Sequence, residues 1–363
     1  MVFYVESSGD WTHVGPIVEE LLRRGTRVSY LSSDPEDPRL SLERKGLSTF
    51  FIGQGTIRTL LFVSLEAAVM VLTMPDLETF HIKRSTAHPT HYVYVFHSIV
   101  STHMIYRERA FDHFDTILCV GPHHVAEIRE AETLRGTAAK RLVEHGYARL
   151  DAILKEQETR SPGKAQDSTQ DSPIVLVAPS WGPSGILERF GPELVQGLLD
   201  EGLRVIVRPH PETRRATPQV ISKLERRFGG DERFSLDQDM NSKDSLYRSA
   251  VMISDWSGAA LEYAFGLLKP VIFVDTPRKV NNPNYAQLSI TPLEVSIREQ
   301  LGKLMPESEL SRICVAAREI GRQREDFRNR IETTRSEVVF NLGRSSEAAA
   351  DAIERTLSDT GRA

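Results

Sequence analysis

Short apolar runs alternate with segments of helical spacing along the whole chain. In the first half we predict strands at 2–5, 27–31, 49–52, 68–73, 92–96, 116–120 and 142–144. The run Tyr92-Val93-Tyr94-Val95-Phe96 is apolar on both faces, as expected of a central parallel strand. Helical spacing between the runs, as at 16–22 and 57–66, predicts strand–helix–strand units and therefore a doubly wound α/β domain.

The second half repeats this alternation. We predict strands at 174–178, 203–207, 234–236, 251–253 and 271–274, with helices at 193–201, 243–249 and 259–268. The stretch 250–274 is a complete β-α-β unit whose helix is stopped by Lys269-Pro270. From 306 onward the pattern is helical and strongly charged.

A Ser/Gln/Asp/Pro-rich stretch without apolar periodicity, 161–173, divides the two halves. We therefore predict a first domain at 1–160, a linker at 161–173 and a second domain at 174–305. The helices of 306–363 are expected to pack back on the first domain.

The length and net charge of the chain limit the kinds of function that it can have. The 363 residues suffice for two cores, and a net charge of −5 argues against a bulk nucleic-acid-binding surface. The two cysteines, Cys119 and Cys314, lie far apart, which fits free thiols in a reducing compartment. We see no signal peptide, and the longest apolar stretch, 60–74, contains Glu66 and is too short to span a bilayer. We expect a cytoplasmic protein; peripheral attachment to the inner face of the plasma membrane stays open.

Two turns carry candidate chemistry. Ser254-Asp255-Trp256-Ser257-Gly258 joins a strand to a helix N-terminus, where free backbone N–H groups favour phosphate; simple helix capping by Ser257 or Asp255 is the structural alternative. Arg208-Pro209-His210-Pro211-Glu212 follows another strand. Its prolines should stiffen the segment and prevent it from continuing as sheet or helix, which holds Arg208 and His210 at a strand end.

These turns carry a family resemblance. The sequence V-x-R-P-H-P-E, then S-D-W-S-G-A-A-L-E-Y-A-F, K-P-V-I-F-V-D and N-N-P-N-Y, resembles the CDP-glycerol glycerophosphotransferases, the teichoic-acid polymerases and primases. Related UDP-N-acetylglucosamine 2-epimerases and some capsule transferases share parts of the pattern. The resemblance implies a GT-B architecture, in which two Rossmann-like domains face each other across a cleft. It also implies a transferase of teichoic acid biosynthesis that moves glycerol phosphate, or a similar alcohol phosphate, from a CDP-activated donor to a glycan or lipid-linked acceptor, without a cofactor.

The resemblance also assigns residues. His97, in Phe96-His97-Ser98, matches a family histidine that acts as base on the acceptor hydroxyl, although Ser98 replaces a glycine and no lysine follows. His210 matches the family's second essential histidine, a catalytic residue that stabilises the donor phosphates. Ser257 and Gly258 match the phosphate-binding turn, with Arg208 beside them. The remaining matches are Ser180 in A-P-S-W near the phosphate or acceptor, Asp255 and Glu262 at the turn or ribose, and 146–151 as G-x-P-R-x-D with Ala148 for proline. Solvent exposure is the alternative for Glu262.

Other interpretations remain open at this point. Ten of the eleven histidines lie in the first half, but without the spacing or carboxylate and cysteine neighbours of a metal site, so we assign no metal. A GT-B glycosyltransferase with a nucleotide-sugar donor would use the same phosphate-binding residues. For an epimerase we find too few carboxylates in matching places. A non-catalytic domain that binds a nucleotide or a partner is the third alternative, because of the altered segment at His97.

Overall fold

The computed structural model describes residues 1–160, 173–239, 242–322 and 324–361, and these form two compact units. Unit 1 comprises Met1–Ala152, Asn281–Ile290 and Glu337–Ala363, and unit 2 comprises Ile153–Val280 and Thr291–Ser336. The predicted linker at 161–173 lies outside the described residues except for Pro173. Each unit is an α/β domain with one parallel sheet, so the predicted fold class of two doubly wound domains is confirmed.

Unit 1 contains a seven-stranded parallel sheet in the order β3-β2-β1-β4-β5-β6-β7. Its strands are β1 (Val2–Val5), β2 (Val28–Ser32), β3 (Leu47–Phe51), β4 (Val69–Leu72), β5 (His91–Val95), β6 (Thr116–Cys119) and β7 (Arg141–Glu144). The chain adds strands to one side of β1 and then crosses to the other side at β4. This reversal creates a switch point at the carboxyl ends of β1 and β4, where open α/β sheets bind ligands.

Unit 2 has a six-stranded parallel sheet in the order β10-β9-β8-β11-β12-β13. Its strands are β8 (Ile174–Val177), β9 (Arg204–Val207), β10 (Phe234–Leu236), β11 (Val251–Ser254), β12 (Val271–Asp275) and β13 (Gly302–Pro306). Renumbered from its first strand, this order is 3-2-1-4-5-6, that of a Rossmann fold, and its switch point lies between β8 and β11.

Helices cover the two sheets. They are α1 (Trp11–Arg23), α2 (Gly55–Val63), α3 (Pro122–Arg135), α4 (Ala148–Thr159), α5 (Ile186–Asp200), α6 (Pro211–Ala216), α7 (Pro218–Phe228), α8 (Asp244–Arg248), α9 (Gly258–Leu267), α10 (Leu293–Ser296), α11 (Arg298–Leu301), α12 (Leu310–Arg322), α13 (Arg324–Val338) and α14 (Ser345–Asp359).

One face of each sheet packs into an aliphatic core, as the apolar runs predict. In unit 1, Val5, Val71 and Val93 pack with Ile17 of α1 and Ile353 of α14. In unit 2 the strands pack against α5, α7 and α12, with residues such as Val177, Leu194, Leu224, Ile253 and Ile313. Burial of these side chains supplies the main driving force for folding of both units.

The domain membership of three segments differs from the prediction. The 306–336 part of the C-terminal segment belongs to unit 2, because the apolar face of α12, with Ile313, Ala317 and Ile320, packs in its core. Only 337–363 belongs to unit 1. Asn281–Ile290 belongs to unit 1, and Ile153–Arg160 to unit 2.

Three local predictions were wrong or incomplete. The Arg208–Glu212 segment does turn into a helix, because Pro211 occupies its first position, where a missing N–H costs nothing. Helix α5 begins at Ile186, seven residues before the predicted start, and continues through Pro192 with a kink at Phe190. Strand β13 was not predicted, because Gly302–Pro306 has exposed residues and no apolar run.

Within the described residues, none of the helices has the length and apolar character needed to cross a bilayer.

Candidate functional site

The turns at the switch point of unit 2 are joined by one buried carboxylate. Asp255, which follows β11, accepts hydrogen bonds from the backbone N–H groups of Ser180 (2.6 Å), Trp256 (2.7 Å) and Ile186 (3.2 Å). Asp255 is 1% exposed. Its side chain therefore fixes the loop after β8 to the turn after β11.

The guanidinium of Arg298 also stabilises the turn after β11. The guanidinium of Arg298 lies 3.3 Å from the ring centroid of Trp256 and donates to the backbone oxygen of Asp255 at 3.2 Å. Trp256 is also anchored, because its indole N–H donates to the Thr276 carbonyl at 3.0 Å. Burial lowers the pKa of Arg298 to about 10, which still leaves it charged at neutral pH. The turn is thus preorganised before any ligand arrives.

Ser257 and Gly258 lie where the sequence places them, at the start of α9. The Ser257 hydroxyl is the N-cap and accepts from the Ala259 N–H at 3.4 Å, a long and weak hydrogen bond. The ten-residue helix directs the positive end of its dipole toward this turn. Capping and anion binding are compatible here, because a hydroxyl that accepts from the helix can still donate its own proton to a phosphate oxygen.

His210 follows β9, the neighbour of β8, and its tautomer is determined by the backbone. Its Nδ1 accepts from the Glu212 N–H at 3.1 Å, so Nδ1 carries no proton in the neutral ring. The remaining proton is on Nε2, which makes that atom a hydrogen-bond donor. Burial and the nearby Lys279 ammonium lower the pKa of His210 to about 4, so the ring is neutral at pH 7.

Two further residues of this site were not predicted. The Trp181 ring, 39% exposed, has its centroid 6.2 Å from that of His210, and the Lys279 ammonium lies 4.6 Å from the Trp181 ring centroid. Burial lowers the pKa of Lys279, while the carboxylates of Asp255, Glu188 and Glu212 act in the opposite direction. The signal in the sequence was Arg278-Lys279, two cations just beyond the carboxyl end of β12.

Two of the predicted donor-site residues, Arg208 and Glu262, are buried. The Arg208 guanidinium is buried against Asp237, with an Nη1–Oδ2 distance of 2.9 Å, and also donates to the Ser242 carbonyl at 2.7 Å. Through Nη1, Arg208 therefore holds the loop after β10. Glu262 is 8% exposed, so the alternative of solvent exposure was wrong.

In unit 1, His97 lies two residues beyond β5. Its Nδ1 lies 3.1 Å from the Thr73 carbonyl oxygen, which follows β4 and can only accept, so Nδ1 carries the proton. A second contact, 3.4 Å, joins Nδ1 to the Tyr94 hydroxyl. In the neutral ring Nε2 is then unprotonated, which is the form a general base needs.

Other polar groups surround His97. The Tyr147 hydroxyl donates to the His97 backbone oxygen at 3.0 Å and lies 3.3 Å from Nδ1 of His13. The rings of His13 and His97 are 6.2 Å apart. Burial, with Arg149 and His97 as smaller causes, holds the pKa of His13 well below its usual value. His13 was not predicted as a site residue, because it precedes the helical spacing predicted from 16; in the structure it lies on α1, which begins at Trp11.

The segment G-Y-A-R-L-D at 146–151 holds the C-terminal part of unit 1. Gly146 has φ +96°, and an added Cβ would lie 2.3 Å from the Phe340 carbonyl oxygen, so only glycine fits. Asp151 accepts from the N–H groups of Gly343 (2.7 Å) and Ser345 (2.8 Å) at the start of α14. The segment is therefore a structural anchor that also places Tyr147 beside His97.

The N-N-P-N-Y stretch is a strap on the loop that follows His97. Asn282, 5% exposed, donates through Nδ2 to the His103 carbonyl at 2.9 Å, and Asn281 donates through Nδ2 to the Ile105 carbonyl at 2.7 Å. The same loop carries Tyr106, whose ring is 5.6 Å from that of His97. The strap thus fixes a loop that borders the histidine.

A metal site is not evident in the parts of the chain that the structure describes. No group of three or more His, Cys, Asp or Glu side chains there is arranged to hold a metal ion.

The sequence profile of one protein family matches more than half of the chain. The family is described as CDP-Glycerol:Poly(glycerophosphate) glycerophosphotransferase, and the match covers residues 60–279. That range includes His97, His210, the Ser257 turn and Lys279. No curated protein sequence matches the chain.

Solved structures share the fold at low sequence identity. The wall teichoic acid polymerase TagF is 12% identical with a TM-score of 0.63, over 99% of this chain and 89% of its own. A UDP-GlcNAc 2-epimerase from Neisseria meningitidis bound to UDP-GlcNAc is 11% identical with a TM-score of 0.62, over 98% and 99%. WaaG, a glycosyltransferase of lipopolysaccharide biosynthesis, is 13% identical with a TM-score of 0.56, over 97% and 99%. These structures show that the fold is GT-B.

Proposed function

The chain belongs to the CDP-glycerol:poly(glycerophosphate) glycerophosphotransferase family, and we propose that it transfers glycerol phosphate, or a similar alcohol phosphate, from a CDP-activated donor. The acceptor in this proposal is a hydroxyl of a cell-envelope glycan or of a lipid-linked glycan, and CMP is released. Family and fold together make the protein a transferase; the donor and the residue roles are the proposal. The observation that supports the proposal most is the group of hydrogen-bond donors around the Trp181 ring in unit 2.

The donor pyrophosphate is assigned to the turn of Ser257 and Gly258. The helix dipole, the Ser257 hydroxyl and the Nε2–H of His210 would each face a phosphate oxygen. The Lys279 ammonium would add a full positive charge beside the Trp181 ring. A neutral histidine can fill this role, because its Nε2–H can donate to a phosphate oxygen.

The acceptor hydroxyl is assigned to unit 1, with His97 as general base. Nε2 of His97 takes the hydroxyl proton as the acceptor oxygen attacks the β-phosphorus. A new oxygen–phosphorus bond forms, the bond between the β-phosphorus and the bridging oxygen breaks, and CMP leaves with that oxygen. Such transfers depend on positioning and charge stabilisation more than on covalent chemistry, so the cations and N–H donors of unit 2 would supply most of the rate.

Product analysis tests this function. The protein is incubated with CDP-glycerol and membrane vesicles from a teichoic-acid-producing bacterium as the acceptor source, and nucleotides are separated by chromatography. We expect CMP release that requires the vesicles. Release of UDP from UDP-sugars without CMP release would replace the proposal by glycosyl transfer, and binding of nucleotides without turnover would support a non-catalytic domain.

A further inference from the structure

A carboxylate at the switch point of unit 1 is held through one oxygen and open at the other. Glu6 follows β1, and its Oε1 accepts a hydrogen bond from Nη1 of Arg58 at 3.0 Å. Nε2 of His81 lies 3.1 Å from the same oxygen. Among the described residues, none donates a hydrogen bond to Oε2, and the side chain is 36% exposed. Glu6 therefore presents one oriented acceptor oxygen at the edge where open α/β sheets bind ligands.

Arg58 of α2 is buried behind Glu6 and fixes its position. The guanidinium also donates through Nη1 to the hydroxyls of Tyr4 at 3.2 Å and Ser33 at 3.3 Å, both of which are fully buried. Its positive charge compensates that of the Glu6 carboxylate. Burial and the Arg58 guanidinium lower the pKa of His81, so this ring adds no charge at pH 7. The open oxygen of Glu6 thus belongs to a rigid cluster whose charges balance.

The backbone N–H groups of the loop after β1 are already bonded to carboxylates. Oδ2 of Asp10 accepts from the N–H groups of Ser7 at 3.0 Å and Glu6 at 3.2 Å. Oδ2 of Asp34 accepts from the N–H group of Ser8 at 2.9 Å. Such N–H groups before a helix would otherwise bind a phosphate, and here two carboxylates take its place. This loop therefore disfavours an anionic ligand.

The loop of Glu6 lies at the same edge of the sheet as His97. It leads into α1, whose first turn carries His13, and the rings of His13 and His97 are 6.2 Å apart. Only β4 lies between β1 and β5, the strands that Glu6 and His97 follow. Two strand spacings separate these strand ends by about 10 Å. A sugar ring or a short polyol with a hydrogen bond at each end has a comparable length.

We propose that Glu6 is the binding residue of a subsite for a neutral, polyhydroxylated group of the acceptor, a sugar ring or a polyol. Oε2 accepts a hydrogen bond from one hydroxyl of this group, while another hydroxyl faces Nε2 of His97. The group is neutral because Arg58 balances the charge of Glu6 and the loop carboxylates disfavour a phosphate. The place of the subsite in the reaction rests on the proposed function, whereas the binding of hydroxyl groups does not.

Ligand-observed NMR tests the subsite without any turnover. Saturation-transfer titrations measure the affinity of methyl β-glucoside, a neutral probe, for wild type and Glu6→Gln. Glutamine keeps one oxygen for Arg58, but an amide NH₂ group replaces the open oxygen and cannot accept a hydroxyl proton. The matched control, Glu43→Gln, removes an exposed carboxylate elsewhere in unit 1. We expect wild type and control to bind the probe equally, and Glu6→Gln to bind it about tenfold more weakly.

A second variant and a second probe separate hydroxyl binding from charge. Glu6→Asp keeps the negative charge but shortens the side chain by one methylene group, so we expect weaker binding of methyl β-glucoside here too. Glucosamine, which carries an ammonium group, reports a cation site. The subsite is refuted if the glucoside fails to bind wild type or binds Glu6→Gln as tightly as wild type. Tighter, Glu6-dependent binding of glucosamine would also refute it.

The transfer assay distinguishes failure of the subsite from failure of the proposed function. With CDP-glycerol and membrane vesicles, we expect Glu6→Gln to need about tenfold more vesicles for half-maximal CMP release, with unchanged affinity for CDP-glycerol. Wild type that binds the glucoside through Glu6 but releases no CMP would refute the transfer and support the subsite. CMP release that is equal in wild type and Glu6→Gln at every vesicle concentration would refute the subsite alone.

Discussion

His210 has a structural role and a proposed binding role, and the two can be separated by substitution. Its Nδ1 caps α6 by accepting from the Glu212 N–H, while Nε2–H is the group assigned to phosphate. Asparagine is a good N-cap residue and can accept the same bond, but it lacks the donor at the Nε2 position. The two functions therefore predict different behaviour for His210→Asn and His210→Ala.

We expect both variants to bind a pyrophosphate-containing donor about tenfold or more weakly, and only His210→Ala to lose the cap as well. The cap is worth about 1 kcal/mol, a few degrees in the melting temperature. Titration calorimetry gives the affinity and calorimetric melting the stability. If His210→Asn bound the donor like wild type, the imidazole would have no role beyond capping.

His97→Gln tests the general base. Glutamine can donate to the Thr73 carbonyl, as Nδ1–H of His97 does at 3.1 Å, but cannot accept a proton. We expect kcat to fall by about 10²- to 10⁴-fold, with donor affinity unchanged, because the base acts only in the chemical step. Transfer assays at saturating donor measure this, and an unchanged kcat would reject His97 as the base.

The sequence was sufficient to predict which residues lie in the proposed donor site, but it did not predict which side chains they contact. His210 and Ser257 follow apolar runs and could be placed at strand ends from the pattern alone. Lys279 gave only a weak signal, because its relation to Trp181 depends on two loops almost a hundred residues apart meeting at one sheet edge. Arg208 shows the converse: its position was predicted, but its partner Asp237 belongs to another loop.

At the scale of elements, Asp255 decides whether the switch-point loops of unit 2 stay together. Its carboxylate accepts from three backbone N–H groups, and an asparagine amide retains only one oxygen to accept them. We expect Asp255→Asn to lower the free energy of unfolding by about 2–3 kcal/mol, since at least one buried N–H loses its partner.

Urea denaturation measures this loss. Asp231→Asn is a suitable control, because Asp231 accepts from the N–H of Arg233 in an exposed turn, where water replaces the lost bond. An Asp255→Asn variant as stable as wild type would show that the loops are held together by other contacts.

The elements themselves were mostly readable from the sequence. Buried parallel strands such as Val251–Ser254 and Val271–Asp275 consist of continuous apolar residues, which is the strongest pattern that a chain offers. β13 was missed because it is exposed, and the start of α6 because Pro211, which cannot continue a strand, can begin a helix. Both errors occur where a local pattern is compatible with two structures.

At the scale of the molecule, buried neutral histidines predict sensitivity to acid. His145 is 1% exposed, neither of its ring nitrogens has a hydrogen-bond partner in the described part of the chain, and burial lowers its pKa to about 4. The pKa values of His13, His124 and His210 are also lowered, mainly by burial. Between about pH 6.5, the unfolded value, and about pH 4, the unfolded chain binds more protons than the folded one, so stability falls as the pH falls.

In this pH range, each such histidine changes the free energy of unfolding by about 1.4 kcal/mol per pH unit. We expect His145→Leu to reduce the slope of the free energy of unfolding against pH by the contribution of one histidine. The stability at pH 8 should change little. Urea unfolding at a series of pH values gives the slopes. Parallel curves for wild type and variant would mean that His145 is protonated equally in the folded and unfolded states.

In the proposed function, unit 2 binds a cytidine-activated donor through the site around Trp181. Titration calorimetry of CDP-glycerol and of UDP-GlcNAc against wild type and Lys279→Met measures this binding. The proposed function predicts that CDP-glycerol binds more tightly than UDP-GlcNAc, and that loss of the Lys279 charge weakens CDP-glycerol about tenfold or more. Tight binding of UDP-GlcNAc with no binding of CDP-glycerol would contradict it.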